Sequence, residues 1–273
     1  MFQYMLAPIE DNADNALRTL CYNHGADITF TEMTKVSSLI QKNKVAWDKI
    51  AIKGETPTII QLVALKESEL KKFLDMYVPE KGFKGINFNM GCPAHQILRL
   101  GMGCAQMKRI EKAKRLVELV KSKGYSCSIK LRLGANQYEK SKKVYLNLLN
   151  SVDADFFIIH SRHGKEHYEA PADQSVYGDC VATGKTIIAN GDINSKEQID
   201  EFKKIGVSGV MIGRAAVRFP AIFDLLKDKP VPTLDELKEE YLNLSKLYVA
   251  KGRYQDNVLK RLGTDITTLS ENG

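Results

Sequence analysis

GINFNMGCPAHQILRLGMGCAQMKRIEKAKRLVELVKSKGYSCSIKLRL, residues 85–133, reads as strand, loop, helix and strand. GINFNM (85–90) and SIKLRL (128–133) are short runs dominated by apolar residues and bounded by glycine or polar residues, the pattern of buried strands. Between them Ile110, Ala113, Leu116, Val117 and Val120 recur at helical spacing, lysines occupy the other face, and Gly124 closes the helix. A crossover helix of this kind joins parallel strands, so the stretch is one βα unit followed by the start of the next.

The same alternation extends in both directions. Further strands are expected at FQYMLA (2–7), DITFTE (27–32), TIIQLV (58–63), DFFIIHS (155–161), TIIANG (186–191) and GVMIG (209–213), with a helical pattern such as ESELKKFLDMYV (67–78) between two of them. Eight strands separated by helices predict an α/β fold, a (β/α)8 TIM barrel. A doubly wound open sheet is the structural rival, but no glycine fingerprint follows the first strand. After the barrel, TLDELKEEYLNLSKLYVAKGRYQDNVLKRLG (233–263) predicts one good helix and a second behind it. Thr233 and Glu236 have capping-box spacing, and Leu234, Leu237, Tyr241, Leu244 and Tyr248 form one apolar stripe. The expected organisation is a catalytic barrel over residues 1–228 and a short C-terminal helical extension over 229–273.

Bulk properties narrow the class. The five cysteines (21, 92, 104, 127 and 180) are odd in number and never spaced CxxC, which argues against a disulfide framework and a structural zinc site. No apolar run approaches the ~20 residues that span a bilayer, and the amino terminus has no basic leader, so a cytoplasmic, monomeric protein is expected. The net charge of +7 suits a phosphate-rich partner but is met equally by solvated lysines on helix faces, so it does not by itself argue for one.

A barrel of this kind builds its active face from the carboxyl ends of its strands. Those ends carry Pro8, Glu32, Gln61, Asn89 with Cys92, Lys130 with Arg132, His160 with Arg162, Asn190, and Gly213 with Arg214. So many polar groups converging on one rim point to a bound ligand, since a buried polar group is costly unless something pairs it. The seventh and eighth strands end in ANGDINS and GVMIGRAA, and barrels often hold a phosphate with these two loops. A phosphate there would carry its attached group over the barrel mouth. If that group is a flavin, Lys130 can stabilise the negative edge of the reduced ring, Gln61 can bond its pyrimidine edge, and His160 completes the site. A metal site at His160, His163 and His167 is not expected, because the spacing is loose and Arg162 and Lys165 interrupt it.

These residues together resemble the tRNA-dihydrouridine synthases. The resemblance runs from MLAPIEDNAD through TFTEM, TIIQL, GINFNMGCP, RLGMGCAQM, SIKLRLG, IIHSRHGKEHYEAPAD and IIANGDI to GVMIGRAAVRFPAIF, in that family's order and spacing. It implies an FMN-binding barrel that uses NADPH to reduce the C5–C6 double bond of a uridine in RNA, expected to be tRNA. Carried over by motif, Cys92 is the acid, giving a proton to C5 after hydride from flavin N5 reaches C6. Asn89, Arg132, Arg162 and Tyr168 fall on the substrate side. Pro8, Gln61, Lys130 and His160 lie along the flavin, while Asn190, Gly191, Asp192, Gly213 and Arg214 hold its phosphate end. A thiol is mostly protonated near neutrality and is competent for such a transfer. The alternative reading is a flavin-dependent barrel reductase of a free pyrimidine or another small conjugated substrate.

Several positions depart from the family pattern. The loop after the first proline reads Ile9, Glu10, Asp11, Asn12 and Ala13, where the family has Met-Ala-Gly-Val-Thr, and its two acids are unusual beside RNA. Gln174 stands in place of a tryptophan and His163 in place of a threonine. The tail is shorter than the family's helical domain, and its bases Lys251, Arg253, Lys260 and Arg261 are expected to contact phosphates.

Overall fold

The computed structural model describes residues 1–264, so the last nine positions of the expected C-terminal extension, 265–273, lie outside the described residues. Among the described residues nine strands are formed: β1 (Gln3–Leu6), β2 (Thr29–Phe30), β3 (Thr34–Lys35), β4 (Thr58–Val63), β5 (Phe83–Met90), β6 (Cys127–Arg132), β7 (Phe156–His160), β8 (Ile187–Asn190) and β9 (Gly209–Ile212). All pairings are parallel, in the order β1-β9-β8-β7-β6-β5-β4-β2. The circle comes close to closing between β1 and β2, where Met5 bridges Ile28 and Leu6 N–H donates to Ile28 O at 2.9 Å. This is the (β/α)8 barrel expected from the alternating pattern.

The second strand is an irregular stave. DITFTE was expected as one run, but β2 and β3 are two short pieces that pair successive parts of β4. The hydroxyls of Thr31 and Thr34 both donate to Glu32 O at 3.2 Å, so side chains occupy a carbonyl that a continuous ladder would use.

Two apolar layers follow from strand alternation. Met5, Ala7, Phe30, Ile59, Ile158, Ile188 and Met211 fill the barrel interior. A larger layer packs the outward strand faces against the helices; Leu116, Val117 and Val120 of the helix Ile110–Lys121 are all at or below 1 % exposure within it. Substituting one of these by Ala would cost roughly 2–5 kcal/mol.

The tail folds into helices Leu234–Leu247 and Gly252–Arg261, the first opened by the Thr233–Glu236 capping box. It docks on the helix Asn15–Asn23 through buried Leu237 and Tyr241, while Leu234, at 39 % exposed, falls outside the buried part of the expected stripe. Glu240 secures the docking by bonding Asn23 and His24, each at 2.8 Å. Among the described residues no helix is long and apolar enough to cross a membrane.

Candidate active site

The turn that carries Cys92 is built by Asn89. At the end of β5 its side-chain oxygen accepts from Gly91 N–H at 3.1 Å and Cys92 N–H at 2.8 Å, which reverses the chain directly after the strand. Gly91 and Gly103 are the close-approach positions. A Cβ on Gly91 would lie 3.0 Å from Arg132 N, and one on Gly103, at φ +59°, would lie 2.3 Å from Cys92 O. Cys104 closes the loop from behind, its N–H donating to Cys92 O at 3.2 Å and its thiol to Gly91 O at 2.9 Å. Cys104 is buried, and burial pushes its thiol up to about 12; Cys92 is half-buried.

Strand register sets this turn beside a lysine. Asn89 pairs with Lys130 across β5 and β6, and Arg132, His160 and Asn190 are successive partners across β6, β7 and β8. Lys130 Nζ donates to Asn190 Oδ1 at 2.8 Å, and Asn190 Nδ2 donates in turn to Met211 O at 2.8 Å. Burial, reinforced by Arg132, pushes the Lys130 ammonium down to about 7. His160 is held well below the usual imidazole range by burial and by the cations Lys130, Arg132, Arg162 and Arg214. Arg162 Nη1 lies 3.2 Å from His160 Nε2 and, as an obligate donor, assigns that nitrogen as the acceptor.

A cleft of about 440 Å³ opens over these groups, within the roughly 300–1,000 Å³ typical of small-molecule sites. Pro8, Lys130, His160, Tyr168, Asn190, Gly191, Asp192, Gly213 and Arg214 all line it. Gly191 is at φ +122°, and a Cβ there would meet His160 Cδ2 and Ala172 Cβ at 3.0 Å, so the backbone approaches the cleft where a side chain could not. Gly213 opens the helix Arg214–Arg218, whose first amides have no partner within the helix. Arg214 bonds Asp192 at 2.8 Å and lies 4.2 Å from the centre of the half-exposed Tyr168 ring, which stacks on His160 with centroids 6.1 Å apart. Cys92 opens instead into a neighbouring cleft of about 530 Å³ with Met33, Lys35, Asn43 and Gln96, and Glu10 lines both.

Gln61, Arg132 and Arg162, also expected at the ligand, are buried and line neither cleft. Gln61 is 1 % exposed and does not line either cleft; it donates to Asn87 Oδ1 at 2.8 Å and accepts from Asn89 Nδ2 at 2.9 Å. Arg162 has no exposed surface: it donates to Ala170 O and forms an ion pair with Asp192, which fastens the loop carrying Tyr168. Arg132, 5 % exposed, donates to His163 O at 2.8 Å on the same loop. Arg132 and Arg162, at the ends of β6 and β7, bond the loop that follows β7, whereas Gln61, within β4, bonds Asn87 and Asn89 of β5. Nothing in the sequence separates a polar strand-end residue that faces a ligand from one that ties down the next loop.

Other cleft residues were missed. Ile9, Glu10, Asn194 and Arg218 line the cleft over Lys130 and Asn190. Arg218 had a readable signal, since it follows Arg214 by one helical turn and shares its face. The tail bases are also placed differently from the expectation: Lys251 pairs with Asp48 at 3.0 Å and Arg253 with Asp11 at 2.6 Å, so both are engaged within the chain.

The chain is similar to known proteins over most of its length. The family model for "Dihydrouridine synthase (Dus)" matches residues 5–265. A Helicobacter pylori protein described as "Probable tRNA-dihydrouridine synthase" is 30 % identical over 230 residues, covering 80 % of this chain and 68 % of the relative. A Staphylococcus aureus protein of the same description is 28 % identical over 232 residues, covering 81 % and 70 %. The Xenopus tropicalis "tRNA-dihydrouridine(47) synthase [NAD(P)(+)]-like" is 25 % identical over 228 residues, 82 % of this chain but 36 % of the longer relative.

Proposed function

Since the chain belongs to the dihydrouridine synthase family, oxidoreductases that act on tRNA, we propose that it uses FMN and NADPH to reduce a uridine of tRNA to 5,6-dihydrouridine, with Cys92 as the proton donor. The observation that carries this reading is the register of β5 on β6, which sets the Cys92 turn beside Lys130 at one edge of the cleft that Gly191, Gly213 and Arg214 line.

The residues fit a flavin mononucleotide. Gly191, where the backbone comes close to the cleft, the unpaired amides opening Arg214–Arg218 and the Arg214 cation make a donor set for one terminal phosphate. Asp192 holds Arg214 at 2.8 Å and releases it to an incoming phosphate at the cost of one exposed ion pair. Lys130, held by Asn190, would stabilise negative charge on a reduced ring, and His160 and Pro8 line the same cleft. Bound FMN would supply a hydride to C6 of the uracil. Cys92, on the neighbouring strand end, then gives its thiol proton to C5, and Asn89 fixes the direction from which it does so. Arg132, Arg162 and Gln61 act from behind, holding the Tyr168 loop and Asn89 in place. Tyr168, exposed over the cleft between cationic groups, is suited to cover the base once it has entered.

The decisive experiment compares dihydrouridine in tRNA from cells with and without the gene by mass spectrometry, with heat-released chromophore run against FMN and FAD standards. Dihydrouridine unchanged at every position, or FAD as the chromophore, would overturn the reading. The internal pairing of Lys251 and Arg253 favours one alternative, reduction of a free pyrimidine, because it removes two bases from the RNA grip. NADPH oxidation that depends on added tRNA, and not on free uracil, excludes it.

A further inference from the structure

The turn after β1 is where the chain departs from its family, and the C-terminal helix is what it meets. Asp11 sits at φ +57°, a left-handed conformation that a residue with a Cβ keeps only where its surroundings fix it. Two of the fixing interactions come from the helix Gly252–Arg261: Arg253 Nη2 lies 2.6 Å from Asp11 Oδ1, and Asn257 Nδ2 donates to Asp11 O at 3.0 Å. The turn also gathers acids. Carboxylate oxygens of Glu10, Asp11 and Glu32 lie within 4.8 Å of one another, and Glu32 is 1 % exposed. Lys49 pairs with Glu10 and, at 3.0 Å, with Glu32, while Arg253 meets Asp11. Without Arg253, Asp11 would lose its cation beside Glu10 and Glu32, and repulsion among the acids would push the turn outward.

The same tail segment reaches the other bank of the cleft. Gly263 N–H donates to Arg218 O at 2.8 Å, at the end of the helix that Gly213 opens. Ile9 and Glu10 line the cleft on one side and Arg218 lines it on the other. The tail therefore spans the seam between the loops that follow β1 and β9.

We propose that the C-terminal helix Gly252–Arg261 is a strap that fixes both banks of the cofactor cleft, with Asp11, Arg253 and Asn257 as positioning residues that set how tightly flavin is held. The acidic turn and the short tail are then two halves of one device. The inference rests on the flavin reading above.

The test is a titration of FMN fluorescence quenching on the full-length, flavin-stripped chain, paired with thermal unfolding of the flavin-free protein. Arg253→Gln/Asn257→Ala should raise the FMN dissociation constant about fivefold, the range of an exposed ion pair plus one hydrogen bond. Arg253→Lys should restore most of the affinity. Asp11→Asn, which retains a residue tolerant of the left-handed turn, should reproduce the Arg253→Gln effect, and the two together should add little, because they remove the same pair. Lys260→Gln makes the same charge change on an exposed face of that helix and should leave affinity alone. The unfolding midpoint of the flavin-free protein should barely move in any of them. If Arg253→Gln/Asn257→Ala folds poorly, the Asp11→Asn and Arg253→Gln singles decide. Unchanged affinity in these variants, or an equal loss in Lys260→Gln, overturns the strap. A wild-type chain that takes up no flavin overturns the flavin reading and the strap together.

Discussion

Asn89 Oδ1 accepts from Cys92 N–H at 2.8 Å, so the penultimate residue of β5 also aims the thiol that follows the strand. The half-buried Cys92 is thereby presented on a turn with fixed geometry. Cys92→Ala should leave flavin content and flavin reduction by NADPH intact while slowing uracil reduction by ~10²–10⁴-fold, the usual worth of general-acid catalysis. Cys104→Ser, which keeps a donor for Gly91 O, is the control. An equal loss in the control would make the effect structural, and normal turnover in Cys92→Ala would remove the acid altogether.

Gly103 offers a test of aim rather than chemistry. An added Cβ would stand 2.3 Å from Cys92 O at a backbone angle of +59°, so Gly103→Ala must displace the turn. A shift of about 1 Å at a reacting group can cost ~10²-fold in rate. Uracil reduction should fall by up to that factor with FMN affinity unchanged, and the alkylation rate of Cys92 by iodoacetamide, followed by mass spectrometry, should change in parallel. A rate drop with no change in alkylation would place the damage elsewhere.

Lys130 makes a pH-dependent contribution of definite sign. Burial brings it down to about 7 in the folded chain, whereas an unfolded lysine titrates near ~10.4. Between those values the unfolded state binds more protons, so this residue's contribution to stability rises with pH from about 7 to 10 and is at its lowest below 7. Urea unfolding of the flavin-free protein should show wild type gaining on Lys130→Met across that window. A parallel pair of pH profiles would mean that Lys130 is not perturbed. In the flavin-loaded protein Lys130→Met should also make the bound flavin harder to reduce, read as a more negative midpoint potential at pH 7.

Much of this site was legible because barrel strands have a two-residue period and a fixed active end. Asn89, Lys130, His160 and Asn190 needed only the positions of β5 to β8 to be brought to one rim. The glycines of the last two loops were readable for the same reason. Depth was not readable. Gln61 bonds Asn87 and Asn89 of the next strand, Arg132 and Arg162 bond the loop after β7, and no local pattern separates such residues from ligand-facing ones. The break between β2 and β3 was hidden too, since a β-rich Thr-Phe-Thr run gives no sign that the Thr31 hydroxyl, with that of Thr34, will bond Glu32 O. The pairing of Asp11 with Arg253 joins residues from opposite ends of the chain, where sequence spacing carries no information.

The tail bases divide into two pairs with different expected roles in RNA binding. Lys251 and Arg253 are held by Asp48 and Asp11, and a cation already paired releases few counterions when a phosphate arrives. Lys260 and Arg261 are exposed near the end of the helix Gly252–Arg261 and make no ion pair among the described residues. Neutralising Lys260 and Arg261 together should therefore weaken tRNA binding and flatten its log–log salt dependence, by up to ~0.7 for each single-strand phosphate that the variant no longer neutralises. Lys251→Gln should leave the salt slope unchanged, and Lys260→Gln/Arg261→Gln should leave flavin affinity unchanged, because neither residue touches the Asp11 turn. Filter-binding titrations from about 50 to 200 mM salt, a range in which the phosphate contribution dominates, give both quantities from one series. If slope and affinity both survive the Lys260/Arg261 change, the RNA grip lies on the barrel's own loops. Lys35, beside Cys92, with the exposed His95 and Arg99 of the following helix, would then be the next residues to neutralise.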